Sequence, residues 1–132
     1  MKKSICIVVA NFYPKISRSL IDASVKTLKS KKIKKYIIIK VPGVFEIPYV
    51  IKKNINKFDG FIALGCVIKG ETPHFDFISK ATTDAIMKLS TDYKKPVGNG
   101  IITSLNNEQA AYRSKKKGGE AANAVIKVLN NF

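Results

Sequence analysis

Cysteine is scarce in this 132-residue chain: Cys6 and Cys66 are the only two, and they lie far apart. Their separation makes neither a metal-binding nor a redox pair. Both fall in apolar segments, where a buried thiol is the default reading, and a reducing cytoplasm fits. Long hydrophobic runs are missing as well, since none approaches the ~20 residues that span a bilayer. The first apolar stretch is cut short by Asn11 and Pro14 and has no small-residue cleavage site after it, so no membrane partner and no secretory signal are expected. Internal repeats, low-complexity segments and long linkers are absent, and the length fits a single domain over residues 1–132. Without a glycine-rich P-loop or a dinucleotide fingerprint, a nucleotide is not indicated.

Arginine is nearly absent too. Of 24 basic residues, 22 are lysine and only Arg18 and Arg113 are arginine, against nine acids and a formal net charge of +15. That charge raises the class of nucleic-acid-binding proteins. Base-edge recognition and two-pronged phosphate contact favour the planar guanidinium, however, and the lysines are spread along the chain. With 18 isoleucines and nine asparagines, the pattern reads as the bias of an AT-rich genome, and no nucleic-acid partner is expected. The converse is that an arginine retained at position 113 points to a site-specific need.

The residues that are present alternate between two periods. Ser4–Ala10 is a β-branched apolar run, the pattern of a strand buried on both faces. Ile16–Lys31 spaces its apolar residues as a helix does. Lys35–Val41 reads as a second strand stopped by Pro42-Gly43, and 45–56 as a helix with Glu46 and Pro48 in its first turn. Residues 60–68 form a third buried strand, followed by a loop to His74 and a helix over about 75–90. The segment 96–105 is a fourth strand, with glycines that mark close backbone approach. Asn106-Asn107-Glu108 caps a helix to about Lys115, and Gly118-Gly119 opens a last helix over 120–130. Such alternation predicts a single α/β domain with three α/β/α layers around a four-stranded parallel sheet, flavodoxin-like and covered on both faces. Ligands of such sheets bind at the carboxyl ends of the strands, where the unusual residues here collect.

His74 is the only side chain whose ordinary pKa lies near neutrality, which suits proton transfer, although a lone histidine is more often structural. The loop before it offers Thr72 and free backbone N–H groups to an anion; equally, Thr72 and Asp76 can simply cap the helix. Phe12, just past the first strand, is a candidate stacking platform for a planar ligand, or else core.

Longer blocks then carry a resemblance. Val41-Pro42-Gly43-Val44-Phe45-Glu46-Ile47-Pro48, Gly65-Cys66-Val67-Ile68-Lys69-Gly70-Glu71-Thr72-Pro73-His74-Phe75-Asp76 and Pro96-Val97-Gly98-Asn99-Gly100-Ile101 resemble the signature blocks of the 6,7-dimethyl-8-ribityllumazine synthases. Asn107-Glu108-Gln109-Ala110 to Arg113, and Lys117 to Ala122, are similar to that family's C-terminal blocks. All appear in the family's order.

The resemblance implies a transferase of riboflavin biosynthesis, without metal or other cofactor. It would condense 5-amino-6-(D-ribitylamino)uracil with 3,4-dihydroxy-2-butanone 4-phosphate to the lumazine, phosphate and water. It implies that Phe12 stacks on the pyrimidine, and that Val44, Phe45, Glu46, Cys66, Val67 and Ile68 contact the uracil and ribityl chain, largely through backbone groups. Glu71, Thr72 and Arg113 would take the phosphate, with His74 as catalytic proton carrier. Asn99 stands where many members carry an aromatic or aliphatic residue, which leaves its backbone as the implied contact. Lys117 matches the family lysine near the substrates, after a stretch from Arg113 shorter than in many relatives by about one helical turn. The family's sites lie between subunits of a pentamer or of multiples of pentamers, and a riboflavin synthase is a possible partner. Three rivals predict other residues. An archaeal-type riboflavin synthase shares the fold but not the Gly-Glu-Thr-Pro-His-Phe-Asp loop. A nucleic-acid module would cluster arginines. An inert shell protein would have no need of Phe12, His74 and Arg113.

Overall fold

The two apolar runs without polar interruption, Ser4–Ala10 (β1) and Gly60–Ile68 (β3), lie side by side in the middle of a sheet, and every residue of both is buried. A computed structural model describes residues 3–70 and 74–132. Between and after these strands run α1 (Pro14–Ser30), β2 (Lys35–Val41), a 3₁₀ turn (Val44–Glu46), α2 (Ile47–Lys53), α3 (Phe75–Tyr93), β4 (Val97–Ser104) and α4 (Asn107–Asn131). All four strands are parallel, in the order β2-β1-β3-β4, with Ile5 paired to Tyr36 and Gly60, and Phe61 to Val97.

Alternate residues of β1 face opposite helical layers. Ile5, Ile7 and Val9 pack with Leu20 and Leu28 of α1 and with Ala122 and Val125 of α4. Cys6, Val8 and Ala10 pack with Ile47 and Ile51 of α2 and Ile86 of α3. This is the expected three-layer α/β/α, flavodoxin-like arrangement, in which each fully buried Ile or Leu contributes roughly 1.5–3 kcal/mol. Burial pushes the Cys6 thiol up to about 12, so it stays protonated and inert. The cover is incomplete at the sheet edges: β2 has one neighbouring strand, and its Ile37 and Ile38 remain 45% and 39% exposed.

Two expectations are corrected. The helix over 45–56 is instead a 3₁₀ turn followed by the shorter α2, because Pro48 at its start resets the helix there. The break at Gly118-Gly119 does not exist: α4 runs unbroken from its Asn106 cap, whose side chain accepts from the Gln109 N–H at 2.9 Å. The glycines serve tertiary contact. A Cβ on Gly118 would stand 2.2 Å from the Leu20 carbonyl oxygen, and the Gly118 carbonyl accepts from buried Ser24 Oγ at 2.7 Å. Close approach at the β4 glycines is as expected, since a Cβ on Gly98 would meet the Ala121 carbonyl oxygen at 2.2 Å. Glycines on both sides thus bring α4 against α1 and β4.

Candidate active site

The chain leaves β1 for β2 on one side and returns to β3 on the other, so the order reverses between β1 and β3. A crevice opens at that point, beyond the carboxyl ends of the strands. It holds a cavity of about 310 Å³. Phe12 enters it from the end of β1, Pro42 to Glu46 from the end of β2, Cys66 and Val67 from β3, and Ile78 from α3.

Local bonds fix each wall. Ser17 Oγ donates to the Ala10 carbonyl (2.6 Å) and the Asn11 N–H to the Val41 carbonyl (2.8 Å), which ties down the strand ends that present Phe12. The Gly43 N–H donates to Glu46 Oε1 (2.9 Å) and the Glu46 N–H to the Gly43 carbonyl (3.2 Å), so one side-chain bond and one backbone bond close the turn. Gly65 in β3 makes room for that turn, because a Cβ there would lie 2.6 Å from Val44 Cγ1. Phe12 and Phe45 are 60% and 64% exposed. Two rings left in water beside an apolar cavity are not core, and they offer faces to a planar ligand.

A second cavity of about 370 Å³ lies beside edge strand β4, on α4. Ile101 to Thr103 form its floor, and Arg113, Lys116, Lys117 and Glu120 come from one face of the helix. Arg113 Nη1 donates to the Thr103 carbonyl at 2.8 Å, anchoring the guanidinium over the end of β4. A larger concavity of about 570 Å³ is walled by Lys3, Lys31, Lys32, Lys34 and Lys35 and lies at the amino ends of the strands, away from the crevice.

The structure therefore brings Phe12, Val44, Phe45, Glu46, Cys66 and Val67 together in one place and Arg113 with Lys117 in another. Ile68 turns its side chain into the core under α1 and α4, which leaves only its backbone for a ligand. Asn99 borders neither cavity; it sits on the exposed edge of β4, where its Oδ1 accepts from the Ile101 N–H at 3.0 Å. Glu71 and Thr72 lie outside the described residues. His74 is exposed just before α3, its ring edge-on to Phe77 (centroids 6.4 Å apart) and its carbonyl accepting from the Ile78 N–H at 2.8 Å. It stands one turn from a residue that walls the first cavity. Ile78 escaped the sequence reading, although its place four residues after His74 on a helix marks it; Lys116, three after Arg113, escaped in the same way.

Among the described residues no helix is long and apolar enough to cross a membrane. The family model for 6,7-dimethyl-8-ribityllumazine synthase matches residues 2–132. The 6,7-dimethyl-8-ribityllumazine synthase of Bartonella tribocorum is 42% identical over 132 residues, covering 95% of this chain and 87% of its own length. Those of Nitrosospira multiformis and Agrobacterium fabrum are 37% and 38% identical, covering 96% and 97% of this chain and 82% and 93% of their own. The match runs through both cavities, and the chain belongs to the 6,7-dimethyl-8-ribityllumazine synthase family.

Proposed function

We propose that this chain condenses 5-amino-6-(D-ribitylamino)uracil with 3,4-dihydroxy-2-butanone 4-phosphate, giving 6,7-dimethyl-8-ribityllumazine, phosphate and water. The observation that carries the reading is the division of labour between the cavities. One is apolar and edged by the rings of Phe12 and Phe45, which suits the flat face of a uracil ring. The other is cationic, which suits a phosphate.

The pyrimidine stacks on Phe12, with Val44 to Glu46 and Cys66 to Ile68 along the ribityl side. Arg113 and Lys117 hold the phosphate, together with Glu71 and Thr72. The 5-amino nitrogen attacks the ketone and water leaves to form an imine. Removal of a proton then expels phosphate, and the ribityl-bearing nitrogen closes the ring with loss of water. His74 carries protons in these steps. Holding the two reactants together is worth up to roughly 7–11 kcal/mol of barrier, against ~10²–10⁴-fold for one acid–base group, so His74 assists a reaction driven mainly by positioning.

The first cavity opens at the α2–α3 layer and the second on α4, across the sheet. That separation supports a site shared between copies: the Phe12 cavity of one meets the Arg113 cavity of its neighbour in a pentamer or a multiple of pentamers, with the Asn99 backbone at the seam. The compartment is the cytoplasm, in keeping with the thiols of Cys6 and Cys66, and a riboflavin synthase takes up the product.

Mixing the protein with both substrates should give lumazine absorbance and phosphate in step, from a particle that sediments as a pentamer or larger. His74→Ala should lower turnover ~10²-fold with assembly intact. Assembled protein that makes no lumazine refutes the reaction, and a stable, active monomer refutes the shared site.

A further inference from the structure

Arg113, Lys116, Lys117 and Glu120 recur at three- and four-residue spacing, so the unbroken α4 carries them on one face, over the cavity beside β4. Arg113 and Lys117 already have a part in the reading above. Lys116 has none. We propose that Lys116 is a third cation of a phosphate-binding cleft, which takes the phosphoryl end of the ketone substrate and also holds the inorganic phosphate that leaves it. The proposal rests on the reading of this cavity as the phosphate side.

The charge of the cavity wall favours a further cation. A phosphate monoester near neutrality carries roughly −1.5 to −2. Arg113 and Lys117 against Glu120 leave one net positive charge in the cavity wall, and Lys116 raises it to two, which matches a dianion. Geometry adds a second reason. Arg113 gives Nη1 to the Thr103 carbonyl, so part of its fork is committed to holding its own position. Lys116 is exposed and forms no ion pair with another described residue; the pairs that do form, Lys80–Asp84 and Lys88–Asp92, are on α3. Its neighbour Lys115 supplies the internal control, because it faces a different concavity with Arg18 and Lys26.

The test is a calorimetric titration of inorganic phosphate into the assembled wild-type protein and into Lys116→Gln, Lys116→Arg and Lys115→Gln. Lys116 is solvent-exposed, so its loss should weaken phosphate binding about three- to five-fold. Lys116→Arg should restore binding and Lys115→Gln should leave it unchanged. In turnover, Lys116→Gln should raise the KM for the butanone phosphate and the inhibition constant of phosphate by the same factor, with kcat and the KM for the ribitylaminouracil unchanged. The proposal is overturned if the wild type binds no phosphate, if Lys116→Gln binds it like the wild type, or if Lys115→Gln loses as much. Absence of lumazine formation by the wild type would count against the reaction instead, and the titration would still decide the role of Lys116.

Discussion

In the cavity between β1 and β3 the walls are strand ends and a turn closed by its own hydrogen bonds, whereas the cavity beside β4 is walled by long side chains from one face of α4. The first has its shape built into the backbone, with Gly65 leaving space for Val44. The second depends on where a helix lies, and glycine contacts with α1 and β4 set that position. The difference suits the ligands proposed for them. A neutral planar ring gains most from a rigid slot that excludes water, while a phosphate needs charge at the right distance and tolerates flexible donors.

If the two cavities are independent in this way, substitutions should divide between them. The largest expected effect is at Gly118. Alanine there would drive a Cβ to 2.2 Å from backbone that cannot give way, so α4 must shift. Overpacking of this kind costs up to ~3 kcal/mol, and urea unfolding should read it as a lower midpoint at unchanged slope. The folded fraction should bind butanone phosphate poorly but ribitylaminouracil normally.

Gly65→Ala is the counterpart. Its Cβ would meet Val44 Cγ1 at 2.6 Å, a side chain that can move by carrying the 43–46 turn with it. A cost of ~1–2 kcal/mol is expected, with the KM for the ribitylaminouracil raised and that for the butanone phosphate little changed. Equal effects on both substrates would contradict the division.

Arg113→Lys comes next. An ammonium cannot hold the Thr103 carbonyl and reach a phosphate oxygen at once, as a two-pronged guanidinium can, and losing one charged hydrogen bond should cost ~1.5 kcal/mol against the butanone phosphate. Steady-state kinetics with each substrate varied in turn should find a smaller effect on the other.

The smallest effect lies away from both cavities. The Ser4 N–H (2.8 Å) and hydroxyl (3.1 Å) donate to Asp59 Oδ2, and these bonds hold its carboxyl below the ordinary carboxylate range. A carboxylate whose pKa is lower folded than unfolded contributes stability above the unfolded value, and that contribution is lost as pH falls through the folded one. Denaturation midpoints compared at pH 6 and at acid pH should show Asp59→Asn with a shallower loss than the wild type, and neither KM should move at pH 7.

Much of this was legible in the sequence, and unevenly so. β1 and β3 declare themselves because a central parallel strand has no polar face, and the residues at their carboxyl ends, Phe12 just past β1 and Cys66-Val67 near the end of β3, therefore fall at the crevice. Gly118-Gly119 misled because glycine punctuates a helix when only local propensity acts; here close packing against Leu20 and Ser24 outweighs it. Asn99 stands in a block that resembles the family's, yet its side chain satisfies an edge N–H of β4, a need that only strand order reveals. That Phe12 and Arg113 line two separate cavities was likewise invisible, since it depends on which helices cover which face.

The central claim, that one copy's Phe12 cavity works with its neighbour's Arg113 cavity, is tested most directly by mixing two disabled variants. Phe12→Asp and Arg113→Glu should each be nearly inactive as pure assemblies. Unfolded together and reassembled at equal amounts, they should recover about a quarter of wild-type activity, because in a head-to-tail ring about one interface in four then joins two intact halves. Recovery no greater than the average of the two pure variants, with mixed assemblies demonstrated by mass, would contradict it.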